Sequence, residues 1–264
     1  MADDSRHATP APPPSGADAD PFGEGPVRWG RGWMAVVKPS GMSLHNDPGK
    51  DLLSAAARYL ETHGALASAM GVEADFGIHA PHRLDKETSG IVILTCTAEA
   101  HRWISRQFME KRVHKEYAAI VHGEVRAPEG SEGGEWAWPL SKRAGGRSDP
   151  AGAGERVPCR TRYRVLRHTP RYTLIACEPV TGRIHQIRRH AKLAGNAVVG
   201  DARYGTLRSI RHLEKLGFRR LALHAAAVTL VLPETASPLT LESPRRLPAD
   251  MAELLEADLA EKGR

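Results

Sequence analysis

"PHRLDKETSGIVILT" (residues 81–95) sets a cluster of ionic side chains hard against an apolar run, and its reading decides how the chain is laid out. The second half is apolar, β-branched and not alternating, which is the pattern of a strand covered on both faces. The first half closes with the turn formers Thr88, Ser89 and Gly90, so the ionic residues lie on a loop feeding that strand. Loops at the mouths of strands often carry function. Asp85, fenced by Arg83 and Lys86, then has two readings. It is a turn cap, or it is a carboxylate kept ionised by neighbouring positive charge. An ionised carboxylate is a weak base but a competent nucleophile toward an electrophilic carbon. The segment alone leaves both open.

Working outward, "RGWMAVVKPSG" (31–41) reads as a strand stopped by Pro39 and Gly41. "DLLSAAARYLETHG" (51–64) reads as a helix with Leu53, Ala56, Ala57 and Leu60 on its apolar stripe. Beyond the central strand, residues 99–112 read as a helix with Ala100, Trp103, Ile104 and Phe108 facing inward. Its outer side carries Arg102 and Arg106. "VHKEYAAIVHGEV" (113–125) is a strand, and 126–157, rich in Gly, Pro and charge, is expected as a long, mobile insertion. Residues 159–168 and 171–180 form a strand pair around Pro170. A helix is expected over 183–194, a strand over 220–233 and a last helix from Pro248. Strands and helices mix without regular alternation, which predicts an α+β fold around a largely antiparallel sheet.

The 264 residues carry a net charge of +6, which understates the folded part. Residues 1–26 hold six prolines and a net −4, so the remainder, +6 less −4, stands at +10. The Pro-rich stretch is expected to be a disordered tail ahead of one domain, 27–264. A body this basic attracts polyanions. Three scattered cysteines fit neither a disulfide framework nor a zinc site, and point to a reducing cytoplasm. No apolar run is long enough for a membrane helix, and the first ten residues lack signal-peptide order.

A second constellation is "TGRIHQIRRH" (181–190). On a helix, Ile184, Ile187, Ala191 and Ala194 mark a buried stripe, Arg188 sits on its margin and Arg189 points further outward. A guanidinium at the edge of a core either pairs with a carboxylate, Asp85 being the natural candidate, or snorkels to solvent. Metal and nucleotide chemistry find no pattern: HExxH, GxxxxGK[ST] and GxSxG are all missing, and "GDARYG" (200–205) reads as a turn.

With "KPSGMSLH" (38–45), "HRLDKETSG" (82–90), "KEYAAIVHGEV" (115–125), "TGRIHQIRRHAKLAGNAVVGDARYG" (181–205) and "RLALHA" (220–225) in this order, the chain resembles RNA pseudouridine synthases of the RluA family. The resemblance covers about residues 30 to 245. It implies the pseudouridine synthase fold with a catalytic cleft, and conversion of a uridine in structured RNA, transfer or large-subunit ribosomal, without cofactor or metal. By match to the motifs, Asp85 would be the catalytic carboxylate, Tyr117 the active-site tyrosine and Arg188 the partner of the aspartate. Arg83 would take the place of an extruded nucleotide and Leu223 would wall the pocket, with His82 and Arg189 among the substrate-binding residues. The double Arg at 188 and 189 and the run after Gly200 look most like the branch that modifies transfer RNA. Attack at C1′, addition at C6 and proton loss from C2′ all remain open as routes. A monomer is expected. The competing reading is a non-catalytic RNA-binding or RNA-folding protein on the same fold.

Overall fold

Residues 89–95 form a strand whose side chains are all buried, and the sheet is built around it. The structure, a computed structural model, describes Phe22 and residues 25–261. The expected tail therefore lies outside the described residues, apart from Phe22, Gly25 and Pro26. The chain begins with β1 (Arg28–Gly30), β2 (Trp33–Lys38), α1 (Leu52–Thr62) and α2 (Gly64–Met70). It continues through β3 (Ser89–Thr95), α3 (Ala98–Met109) and β4 (His114–His122). Next come β5 (Gly133–Trp136), β6 (Leu140–Ser141), β7 (Arg156–Val157), β8 (Thr161–His168) and β9 (Tyr172–Pro179). Finally come α4 (Gln186–Leu193), α5 (Leu207–Lys215), β10 (Leu223–Leu230), β11 (Leu239–Glu242) and α6 (Ala249–Glu261).

The main sheet runs β1-β2-β3-β10-β4-β9-β8-β5, with β11 on β10, and is antiparallel except where β3 meets β10. The α+β class is as expected. The parallel contact spans only His224 opposite Ser89 and Ala225 opposite Gly90. Gly90 sits at φ +119, and a Cβ there would run into the Ala225 backbone. Only glycine allows both that conformation and that approach. This narrow seam divides two cores. One packs β2 and β3 against α1, α2 and α3; the other packs β4 and β9 against α4, α5 and α6. Tyr117 on β4 touches both. Beside the seam, the β10–β4 register shifts between Ala225 and Ala227, a bulge of the kind found next to active sites.

Local chemistry explains the helix starts. Asp51 caps α1 by accepting the Ser54 N–H, and Thr97 caps α3 by accepting that of Ala100. Three details differ from the pattern reading. The stripe of α1 is Leu52, Ala56 and Leu60, one residue out of phase at its start. On α3, Trp103 is half exposed and its indole donates to Val231 O, while Gln107 is buried and clasps Val231 at both ends. The expected insertion carries β5, which extends the main sheet on β8, and the short β6–β7 pair.

Candidate active site

The loop 81–88 is fastened from below by β2 and the turn that follows it. Lys38, fully buried at the end of β2, donates from Nζ to Pro39 O, Met42 O and Lys86 O at 2.8, 2.8 and 2.9 Å. Burial pulls its pKa down to about 7, against the attraction of Glu87. With all three ammonium protons on carbonyls, the charged form is nevertheless well satisfied. Gly41 N–H also donates to Lys86 O, and Ser40 Oγ to Glu87 O. The backbone on the C-terminal side of Asp85 is thus held by three hydrogen bonds to two successive carbonyls.

From the seam side, Ser89 Oγ meets His224 Nδ1 at 2.7 Å, and His224 Nε2 meets Ser243 Oγ at 2.9 Å. Arg220 adds a bond to Ser89 Oγ. Burial, helped by Arg220, drives the His224 pKa down to about 3, so the ring is neutral. His82 is likewise a bracket. Its Nε2 accepts the Ile93 N–H at 2.9 Å and its ring stacks on Phe108 with centroids 4.7 Å apart. Burial takes its pKa to about 3. The acceptor nitrogen of His82 is therefore committed to β3, so the side chain, expected to bind substrate, also braces the strand that follows the Asp85 loop.

Asp85 itself is partly exposed, at 28% of its side-chain surface. Arg188 Nη1 on α4 lies 3.3 Å from its Oδ2 and 3.2 Å from Glu87 Oε2. Leu84, next to the carboxylate, belongs to the first core and Ile187, next to the arginine, to the second, so the pair links the two sides of the seam. Asp85 is not the principal partner, however. Arg188 Nε donates to Asp201 Oδ2 at 2.7 Å and Nη2 to Asp201 Oδ1 at 3.0 Å, both side chains being buried. Burial works against the charge on Arg188, but the Asp201 hydrogen bonds and charge, with Asp85 and Glu87, outweigh it and raise its pKa. The "GDARYG" turn is thus a ligand for the arginine. Asp201 Oδ1 also accepts the N–H of Arg203 and of Tyr204, which sets the turn's shape.

Tyr117 lies opposite Ala225, the residue that faces Gly90 across β10. Burial and the nearby Asp85 charge push its phenol pKa up, so the hydroxyl stays protonated. Leu223, buried at the start of β10, belongs to the core that Tyr117 packs against. Arg83 is exposed, and its side chain makes no hydrogen bond or ion pair among the described residues.

Two expectations for 181–194 are overturned. The helix starts at Gln186, because His185 adopts a left-handed conformation (φ +53), and Ile184 is exposed rather than buried. Arg189 does not point outward. It is completely buried under the 141–152 segment, where it donates to the carbonyls of Ser141, Pro150, Ala151 and Ile184 and to Ser141 Oγ. Backbone acceptors here replace a carboxylate, and Arg189, expected among the substrate-binding residues, pins the 141–152 segment from within. His190 beside it holds Trp138 O and Thr161 Oγ1. No group of three or more His, Cys, Asp or Glu side chains among the described residues is arranged to hold a metal ion.

The family model described as RNA pseudouridylate synthase matches residues 32–193, which include the Asp85 loop, Tyr117 and Arg188. The chain belongs to the RNA pseudouridylate synthase family. Its similarity to tRNA pseudouridine synthase C of Haemophilus ducreyi is 33% identity over 228 residues, covering 80% of this chain and 86% of that protein. It is 34% identical over 221 residues to ribosomal large subunit pseudouridine synthase C of Vibrio vulnificus, covering 80% of this chain and 62% of that protein. Among solved structures, human RNA pseudouridylate synthase domain containing 4 superposes with a TM-score of 0.66 at 25% identity, covering 89% of this chain and 93% of that one. This pseudouridylate synthase therefore shares fold and family with proteins whose names span two RNA classes.

Proposed function

We propose that this protein isomerises a specific uridine to pseudouridine in structured RNA, with Asp85 as the essential carboxylate. The observation that carries the reading is the carboxylate itself: partly exposed, in a loop anchored from two sides, with Arg188 3.3 Å away and Tyr117 close enough for its titration to feel the Asp85 charge. A base in folded RNA leaves its stack before an enzyme reaches both C1′ and the ring. Arg83, exposed and without an internal partner, is suited to occupy the vacated place. Asp85 acts on the sugar or the base to free the uracil, and Tyr117 offers a stacking face and a hydroxyl while the base turns. Leu223 and the surrounding core supply an apolar wall that keeps water from the sugar.

The substrate read here is a transfer RNA. The similarity to the Haemophilus tRNA enzyme extends over 86% of that protein, whereas only 62% of the ribosomal relative from Vibrio is covered. The protein acts as a monomer in the cytoplasm. Its three cysteines are free and buried, which suits a reducing compartment. No helix among the described residues is long and apolar enough to cross a membrane.

The test is Asp85→Asn. Pseudouridine formation is mapped in total RNA from cells carrying the wild type, the variant or a deletion, and RNA binding is measured on the purified proteins. Loss of one or more sites in both deletion and variant cells, with binding intact, is the expected result. Sites that persist in the variant would return the protein to the RNA-folding reading.

A further inference from the structure

Of the two oxygens of Asp85, the protein engages one. Arg188 Nη1 lies 3.3 Å from Oδ2 and His185 Nε2 3.9 Å from the same atom, while Oδ1 accepts no hydrogen bond among the described residues. His185 reaches this place at a cost. Its left-handed backbone is unusual for a residue with a side chain and persists only where the surroundings fix it. Tyr204 is part of what fixes it: its hydroxyl sits 3.0 Å from His185 Nδ1, and the two rings meet nearly edge-on, at 80°.

That contact sets the tautomer. Tyr204 is fully buried, and Nδ1 of His185 is the hydrogen-bond partner of its hydroxyl. A buried O–H without an acceptor is costly, so the phenol gives its proton to Nδ1 and the ring proton of His185 resides on Nε2, facing Asp85. The charged groups around the ring are Asp85 and Glu87 from the loop, Arg188 from α4 and Arg203 from the 201–205 turn. Burial lowers the His185 pKa; Asp85 and Glu87 raise it, Arg188 and Arg203 lower it, and the net direction is down. The imidazole is neutral at pH 7.

We propose that His185 is a positioning residue for the isomerisation: with Arg188 it fences Oδ2 of Asp85 and leaves Oδ1 as the oxygen that meets the substrate. The inference rests on Asp85 being the catalytic carboxylate. At 3.9 Å the His185 contact is electrostatic rather than a hydrogen bond. Its removal leaves Arg188 as the one remaining group that holds Oδ2 among the described residues, and the carboxylate is less restrained in which oxygen it presents. Protonation of His185 disrupts the arrangement as well. Nδ1 then carries a proton toward Tyr204, whose own hydroxyl proton loses its acceptor.

Two substitutions separate positioning from a merely structural role because they rank oppositely. Asn tolerates the left-handed backbone but reaches only as far as Nδ1. Gln fits that backbone less well yet carries an amide N–H to the position of Nε2. The readout is single-turnover release of tritium from total RNA labelled at uridine C5, drawn from cells lacking this protein, since forming the new bond at C5 expels that hydrogen.

Positioning predicts that His185→Gln stays within about fivefold of wild type, and that His185→Asn falls about 10- to 100-fold, with RNA dissociation constants within about twofold. The wild-type rate falls as pH drops below the ordinary histidine range, the side to which the His185 pKa is shifted, and in His185→Gln that limb is lost, leaving only a carboxylate limb. Equal rates for both variants, Asn outperforming Gln, or an unchanged acid limb would overturn the assignment while leaving Asp85 in place. Full activity of Asp85→Asn in the same assay would instead remove the reading beneath it.

Discussion

Arg188 makes its shortest hydrogen bonds to Asp201, at 2.7 and 3.0 Å, and reaches Asp85 only with its remaining nitrogen at 3.3 Å. The geometry divides labour within one guanidinium. The buried side is locked in a two-bond fork with a fully buried carboxylate, and the other side is presented at the seam. Arg188 thus arrives at Asp85 already oriented.

Asp201→Ala strands this buried cation and is expected to cost about 3–5 kcal/mol in urea unfolding. Asp201→Asn keeps one acceptor and costs less, about 1–2 kcal/mol, while still misaligning Arg188 and slowing turnover. A wild-type urea midpoint for the alanine variant would mean that the fork does not form.

Gly90→Ala forces a Cβ onto the backbone of Ala225 at a φ of +119. The expected loss is about 3 kcal/mol or more, because the clash is with backbone and the seam has only two residue pairs to absorb it. Differential scanning calorimetry on the purified variant checks this. A melting temperature within a degree of wild type would contradict the close packing of β3 on β10.

His82 and His224 make stability depend on pH. Both have folded-state pKa values near 3 against an ordinary 6.5. Below about pH 6.5 the unfolded chain takes up protons that the native rings refuse. Their contribution is therefore complete above that pH and is lost as pH falls from there toward about 3. Each ring adds a slope approaching ~1.4 kcal/mol per pH unit in this window. Urea midpoints measured from pH 7 to pH 5 should fall less steeply in His224→Gln than in wild type.

Arg189→Met removes the donors that gather the carbonyls of Ser141, Pro150 and Ala151. Trypsin sites in this segment at Lys142, Arg143 and Arg147 are exposed. Cleavage there is expected to be about tenfold faster than in wild type, equivalent to ~1.4 kcal/mol of local opening. The far-ultraviolet circular dichroism spectrum should change little. Unchanged cleavage would show that the segment is held by other contacts.

Much of this architecture was legible in the residues. The unbroken apolar run after Gly90 marked a strand buried on both faces, and β3 is one. The Asp85 loop, the β8–β9 pair and the α6 start at Pro248 follow from apolar runs, turn formers and proline, all of which act over a few residues. Helix α2, helix α5 and strand β11 were not distinguished, since they are short or dominated by exposed charge. The same holds within the site. Asp85 and Arg188 stood out as charges at the edge of apolar patterns.

What the sequence determined by itself was which segments form strands and helices and which polar residues interrupt them, because backbone geometry and side-chain periodicity are local. What only the tertiary structure decided was which distant polar groups meet. Asp201 became the main ligand of Arg188, Arg189 was buried beneath carbonyls instead of facing solvent, and His185 turned toward Asp85. Each outcome depends on loops packed from elsewhere in the chain onto one face of α4, and a periodic pattern states which face is apolar without stating what will cover the others.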